Sequence, residues 1–342
     1  MAQQRWRNRP DHSNWGDFGP DDEVGRLNLI TDERRLAAVA EVRVGKAFCL
    51  SLPLDLPGGN RLVPHRLPPK RGIAARGAEG RPTVHFPMET IDPRWIDISC
   101  DDHVTLYTQY STQWDALSHM GRRFDADGDG VEETVYYNGF RAGSDVIGPQ
   151  DGPEPGARRL GIDKMAETCV QGRGVLVDLF HHYGPERRLV GYDDLMRAME
   201  ADGVPVESGD MLCLHTGYGQ ALIDQGGDPS QEMLHNSHAA LDGYDRRLLQ
   251  WIEDSGIAVL IADNFAVEGH PYPARTETGR HPALPLHQTC LFQLGIHLGE
   301  IWYLTELARW LRANDRWRFL LTAPPLRLPG SFGSPATPVA TV

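Results

Sequence analysis

Residues 107–120 read "YTQYSTQWDALSHM" and set Gln109, Gln113, Asp115 and His119 at spacings of four, two and four. Such spacing suits side chains that converge on one point. A carboxylate beside an imidazole is an acid–base pair or part of a metal centre. Glutamine does not titrate and binds metals poorly. The stretch is therefore a metal site, the remains of one, or an exposed strand without chemistry. Tyr110 and Trp114 stand between these residues and supply aromatic walls for a pocket. Asp115 is also a good N-cap for a helix starting at Ala116. A second cluster lies in "PLHQTCLFQLGIHLGE", where His287 precedes an apolar, strand-like run that ends in Glu300. That order is a common way to bring two ligands to one rim, although either residue alone would carry little weight. His215 and Asn264 each follow an apolar run and are further pocket candidates. In "DADGDGVEE" (125–133), Asp125, Asp127 and Asp129 followed by Gly130 match the start of a calcium loop. The twelfth position is Tyr136 rather than Glu, so the loop either closes early on Glu132 or Glu133 or is a solvated acidic turn.

The elements that must hold these residues are legible from periodicity. "TDERRLAAVAEVRVG" (31–45) predicts an amphipathic helix capped by Thr31 and stopped by Gly45. Residues 56–82, rich in Pro, Gly and Arg, predict a long loop, either mobile or a lid over the site. "GRGVLVDLF", "DMLCLHTG" and "IAVLIADN" predict buried strands. "YDDLMRAMEADG", "LDGYDRRLLQWIEDSG" and "EIWYLTELARWLRAND" predict helices, and "RWRFLLTAPPLRL" a closing strand. Strands and helices alternate without the even rhythm of a doubly wound sheet. The expectation is one α/β domain over residues 1–342 with a mixed sheet and flanking helices.

Composition narrows the chemistry. The chain has 342 residues, 40% hydrophobic and 24% charged, with a net charge of -13. That balance argues against nucleic-acid or anionic-membrane partners, which need a basic face. A small-molecule substrate remains. The five cysteines form no CxxC pair, and the apolar context of most of them reads as reduced core thiols. No apolar stretch reaches the roughly 18 residues of a membrane span, and the polar N-terminus carries no signal peptide; the cytoplasm is the expected compartment. Neither GxGxxG, GxxxxGK[ST] nor GxSxG occurs.

The chain resembles the cyclase family of hydrolases, which includes bacterial kynurenine formamidases and isatin hydrolases. Its signature HxGTHxDxPxHF falls on Gln109, Ser111, Thr112, Gln113, Asp115, Leu117, His119 and Met120. "NWGDFGPDDEVGRLNLIT", "GRGVLVDL", "GDMLCLHTG", "IAVLIADNFAVE", "LHQTCLFQLGIHLGEIWYLTELA" and "PPLRLPGSFGSPATPVA" resemble other family stretches in order. The resemblance implies a swivelling β/β/α fold, a homo-oligomer, and an ordered C-terminal end. It places metal or oxyanion groups at Gln109, Gln113, Asp115, His287 and Glu300, and the acid–base histidine at His119. Both signature histidines are glutamines here. Zinc prefers imidazole and thiolate, so an oxygen-rich remainder implies manganese before zinc, or no metal. The expected activity is hydrolysis of an amide, imide or lactone bond in a small cyclic or aromatic molecule. The alternatives are a metal-free cyclase, lyase or dehydratase, and a non-catalytic small-molecule-binding protein.

Overall fold

In the computed structural model, residues 5–272 and 279–342 are described. A nine-stranded mixed sheet runs through the molecule. Its strands are β1 (Ala47–Cys49), β2 (Gln113–Asp115), β3 (Gln171–Asp178), β4 (Met211–His215), β5 (Val259–Ala262), β6 (His297–Glu300), β7 (Arg318–Thr322), β8 (Gly333–Pro335) and β9 (Val339–Thr341). Their order across the sheet is β1-β9-β7-β3-β4-β5-β6-β2-β8. The centre, β3 to β6, is parallel, and both flanks are antiparallel. With flanking helices this is a single α/β domain.

The central strands are apolar on both faces because both faces are covered. Val175, Val177, Leu212, Leu214 and Leu298 point into one core, while Leu176, Met211, Cys213, Val259 and Ile261 point into the other. The helix Tyr192–Asp202 ends at Gly203 and the helix Arg246–Ser255 at Gly256, both glycines in the left-handed region. Asp245 caps the second by accepting from the backbone N–H of Arg247 and Leu248. Among the described residues no helix is long and apolar enough to cross a membrane.

Several elements differ from the sequence reading. The Thr31-capped helix spans only Asp32–Val39. Of its residues only Ala38 is buried, so little packing draws the helix on toward Gly45. The 56–82 segment is irregular only to residue 69. Beyond it Lys70–Ile73 pairs with Asp102–Thr105, and Ala75–Arg76 with Arg81–Pro82. Backbone pairing of this kind is invisible to composition. The run after His287 is not a strand at first. Gln288–Leu294 forms a π-helical turn, and only His297–Glu300 is extended. The turn ends at Gly295, whose backbone touches Gly25; a Cβ on Gly25 would lie 2.1 Å from the Gly295 carbonyl oxygen. The following helix covers Thr305–Ala313 and leaves Glu300 in the sheet. Cys213 and Cys290 are buried thiols, but Cys49, Cys100 and Cys169 are exposed.

Period-two alternation along β2 puts Gln113 and Asp115 on one face and Trp114 on the other. Trp114 is fully buried, packs edge-on against Trp302 at 5.1 Å and donates its indole N–H to the Ala323 carbonyl. It is core, not a substrate wall. Trp114→Ala should therefore cost about 3–5 kcal/mol of stability. Urea denaturation measures it, and a loss below about 1 kcal/mol would contradict the core placement.

Candidate active site

Strand pairing builds the first half of the site. Glu300 of β6 lies directly opposite Gln113 of β2, so their side chains share a face. The Gln113 amide donates to Glu300 Oε2 at 3.3 Å and to Asp115 Oδ1 at 3.5 Å. His287 enters from the residue that caps the π-helical turn. Its Nε2 meets Glu300 Oε1 at 3.1 Å and its Nδ1 meets Glu268 Oε1 at 2.8 Å. Glu268 is fully buried and also accepts from the Tyr272 hydroxyl and from the backbone N–H groups of Leu286 and His287. His119 Nε2 stands 3.9 Å from Asp115 Oδ2. Gln109 donates from Nε2 to His119 Nδ1 at 2.9 Å. Gln109, Gln113, Asp115, His119, His287 and Glu300 thus form one continuous polar chain.

The chain runs from a sealed floor to an open mouth. Asp115 is 1% exposed, His287 2% and Glu300 3%, whereas the His119 side chain is 23% exposed. His119 and Gln109 line a cleft of about 780 Å³ together with Arg66, Ser118, Tyr136 and Ile147. Burial raises the Asp115 carboxyl above its ordinary range and the charge of Glu300 adds to this, while His119 and His287 oppose it. Burial presses on Glu300 as well, but the hydrogen bond and charge of His287, with help from Arg66 and His119, hold it below its ordinary range. Burial would lower His287; hydrogen bonds to Glu268 and Glu300 outweigh it and push the imidazole up to about 10. The two carboxylates that clamp His287 thus favour its charged form.

The floor fits a divalent cation. Ligand atoms of Asp115, His287 and Glu300 all lie within 4.8 Å of one another. Asp115 Oδ2 and Gln113 Oε1 are buried acceptors without a hydrogen-bond partner, and such atoms are expensive to leave unmatched. A cation there would be held by Asp115, His287 and Glu300, with the Gln113 amide oxygen adjacent. The donors are mostly oxygen, with one imidazole. His287 would then give up its Nε2 proton and keep Nδ1–H on Glu268, the usual outer partner of a ligating histidine. Gln109 is not part of this cluster, because its amide is engaged by His119.

Other candidates fall elsewhere. Tyr110 is buried, and its hydroxyl donates to the Gly59 carbonyl, fastening the 56–69 loop. His215 binds Asp178 at 2.7 Å and the Thr305 hydroxyl at 3.1 Å in a separate buried cluster. Asn264 donates to the Ala239 carbonyl and is likewise a structural tie. Asp115 ends a strand and caps no helix. Asp125, Asp127 and Asp129 do cluster, yet their carboxylates accept from backbone N–H groups of residues 128–131. The proposed closing ligands are taken: Glu132 pairs with Arg280 and Glu133 with Arg141. Glu268 was not singled out from the sequence. Its only signal is an acidic residue just past the apolar run "IAVLIA".

Comparison with known proteins bears on this arrangement. Residues 50–269 match the family described as "Putative cyclase". A solved structure described as a novel cyclase is 32% identical, with a TM-score of 0.75, covering 96% of this chain and 99% of its own. The chain belongs to this cyclase family and is an enzyme of that family. Isatin hydrolase A from Ralstonia solanacearum shares the fold at 14% identity and TM-score 0.53, covering 91% and 97% of the two chains. Isatin hydrolase A from Labrenzia aggregata, bound to benzyl benzoate, does so at 14% and 0.54, covering 91% and 98%. No curated protein matches the sequence.

The clamp on His287 predicts a pH dependence for the cation-free protein. Its folded-state value, about 10, lies above the ordinary 6.5. The stabilisation is therefore fully present below the ordinary value and is lost as pH rises through the folded one. In chelator-treated protein, melting temperature should fall between about pH 7 and 10, and Glu268→Gln should flatten that fall. An unchanged slope in the variant would show that Glu268 does not hold the proton.

Proposed function

We propose that the protein is a hydrolase that opens an amide, imide or lactone bond in a small cyclic or aromatic molecule. One observation carries this reading. A partly exposed imidazole at the foot of a ligand-sized cleft stands over a buried carboxylate whose Oδ2 has no partner. Isatin hydrolases, named for acting on a small cyclic molecule, share the fold.

The cycle needs His119 to take a proton from water at Nε2 and hand it to the leaving nitrogen or oxygen. While Nε2 accepts, Nδ1 must carry a proton, and its partner must accept. Gln109 presents its amide nitrogen to Nδ1 at rest. In that orientation the Thr108 hydroxyl donates to Oε1, and Nε2 also donates to the Phe332 carbonyl at 3.3 Å. A half turn of the amide brings Oε1 to Nδ1 and gives up the hydrogen bond to the Phe332 carbonyl. The Thr108 hydroxyl serves either end, because it both donates and accepts. Gln109 is thus a positioning residue that selects the tautomer of His119. Asp115 orients the charged imidazole from 3.9 Å away. The Gln113 amide bridges Asp115 and Glu300 by donating to both. When bound, a divalent cation supplies Lewis-acid polarisation of the scissile carbonyl.

His119→Ala should lower turnover by about 10² to 10⁴ with melting temperature nearly unchanged. Turnover near the parent's in a folded variant would remove His119 from the chemistry and favour plain ligand binding. Gln109→Glu keeps an acceptor on Nδ1 and should retain more activity than Gln109→Leu; the reverse order would overturn the tautomer argument. Gln113→His replaces an amide by an imidazole beside Asp115 and Glu300. It should raise zinc affinity, read by competition with a chromophoric chelator, and unchanged affinity would place the cation elsewhere.

A further inference from the structure

The loop at 56–69 carries one cation that the hydrolytic cycle does not use. Arg66 is half-buried and lines the cleft beside Gln109 and His119. Its Nη1 donates to the Gln109 carbonyl at 2.7 Å, which fixes the guanidinium at the mouth of the site. The loop itself is fastened nearby by the Tyr110 hydroxyl, which donates to Gly59, and the segment just before it by the Ser111 hydroxyl, which donates to Pro53. Neighbouring arginines find carboxylates. Arg61 pairs with Asp228 at 2.6 Å, Arg71 with Asp102 at 3.8 Å and Arg81 with Glu79 at 2.9 Å. Among the described residues no carboxylate lies within ion-pair distance of Arg66, and its remaining donors have no partner.

The surroundings say what those donors meet. The one acid lining the cleft, Asp151, is turned to its own loop and accepts from the Gly148 N–H at 2.7 Å. Tyr136, Val146, Ile147 and Phe332 give the cleft apolar and aromatic wall, interrupted by polar groups such as His65, Thr134 and Gln150. A flat or cyclic body fits between such walls, and a guanidinium with free N–H groups binds a carboxylate in two-pronged fashion. We propose that Arg66 is the anion-recognition residue of the cleft, and that the substrate is a ring bearing a carboxylate or an equivalent planar anion. The inference rests on the reading of this cleft as the substrate site. It narrows that reading to acidic rings. Arg66 lines the same cleft as Gln109 and His119, which puts the anion beside the reacting centre.

Binding tests this without turnover. The probes are 2-aminobenzoate and its uncharged amide, 2-aminobenzamide, titrated calorimetrically into the parent, Arg66→Gln and Arg66→Lys. A charge-assisted pair should favour the anion over the amide by about tenfold or more in the parent. Arg66→Gln should erase that preference while leaving amide affinity in place. Arg66→Lys should keep part of it, since a point charge replaces a fork. Equal affinities in the parent, a preference that survives Arg66→Gln, or equal loss of both probes in that variant would each overturn the proposal. The last result would mark Arg66 as a loop fastener only. Failure of both probes to bind the parent at millimolar concentration would overturn it too. Any of these can occur while the parent hydrolyses a ring and His119→Ala does not, so the two readings fail separately.

Discussion

The burial of three carboxylates around one imidazole is the constraint on which the rest of this structure depends. Asp115, Glu268 and Glu300 are all removed from water, and His287 stands between two of them. Buried charges persist only where partners offset the lost hydration. The fold must therefore deliver donors to fixed places. The backbone N–H groups of Leu286 and His287 and the Tyr272 hydroxyl converge on Glu268. Gln113 spans Asp115 and Glu300 because antiparallel register puts it opposite Glu300. A shift of β2 by one residue would turn Gln113 and Asp115 to the far core and bring Trp114 into the site.

The backbone is bent to meet that demand. Ala266 and Val267, just before Glu268, hold φ of 69° and 58°, and Ile301, just after Glu300, holds 55°. A β-branched residue in the left-handed region costs on the order of 1–3 kcal/mol. Each of these residues adjoins a buried carboxylate, and the packed cores hold them there: Val267 lies in one core, and Ile301 sits beneath the 56–69 loop with Leu52 and Leu62. The π-helical turn after His287 belongs to the same accommodation. It widens the helix by a residue where Gly295 must meet Gly25.

Much of this was legible in the sequence because apolar periodicity reports burial directly. The strands at 171–178, 211–215 and 259–262 and the Gly-stopped helices follow from it. The opening stretch and its partners His287 and Glu300 were found through residue types and motif order. What escaped has a common physical cause: it is made by contacts between segments. The pairing of 70–73 with 102–105 leaves no trace in a Pro- and Arg-rich composition. Trp114 looked like a pocket wall because a three-residue strand is too short to show its alternation. Glu268 and Arg66 act only through where the chain folds them, one under the imidazole and one over the cleft.

The two glutamines acquire different meanings once they are placed. At position 113 the amide stays between carboxylates and still offers an oxygen to the floor, so the substitution preserves connectivity while removing an imidazole. At position 109 the amide leaves the floor for His119. A histidine at either position could balance the acids by taking up a proton; glutamine cannot. The positive charge near Asp115 and Glu300 must then come from the His287 proton, from Arg66, or from a bound cation. These sources are not equivalent. The His287 proton and a cation compete for the same Nε2, whereas Arg66 reaches the acids from the cleft and can serve the substrate as well. With amides rather than imidazoles at 109 and 113, part of the charge balance thus lies in the substrate's own space, which is where an acidic ring would find it.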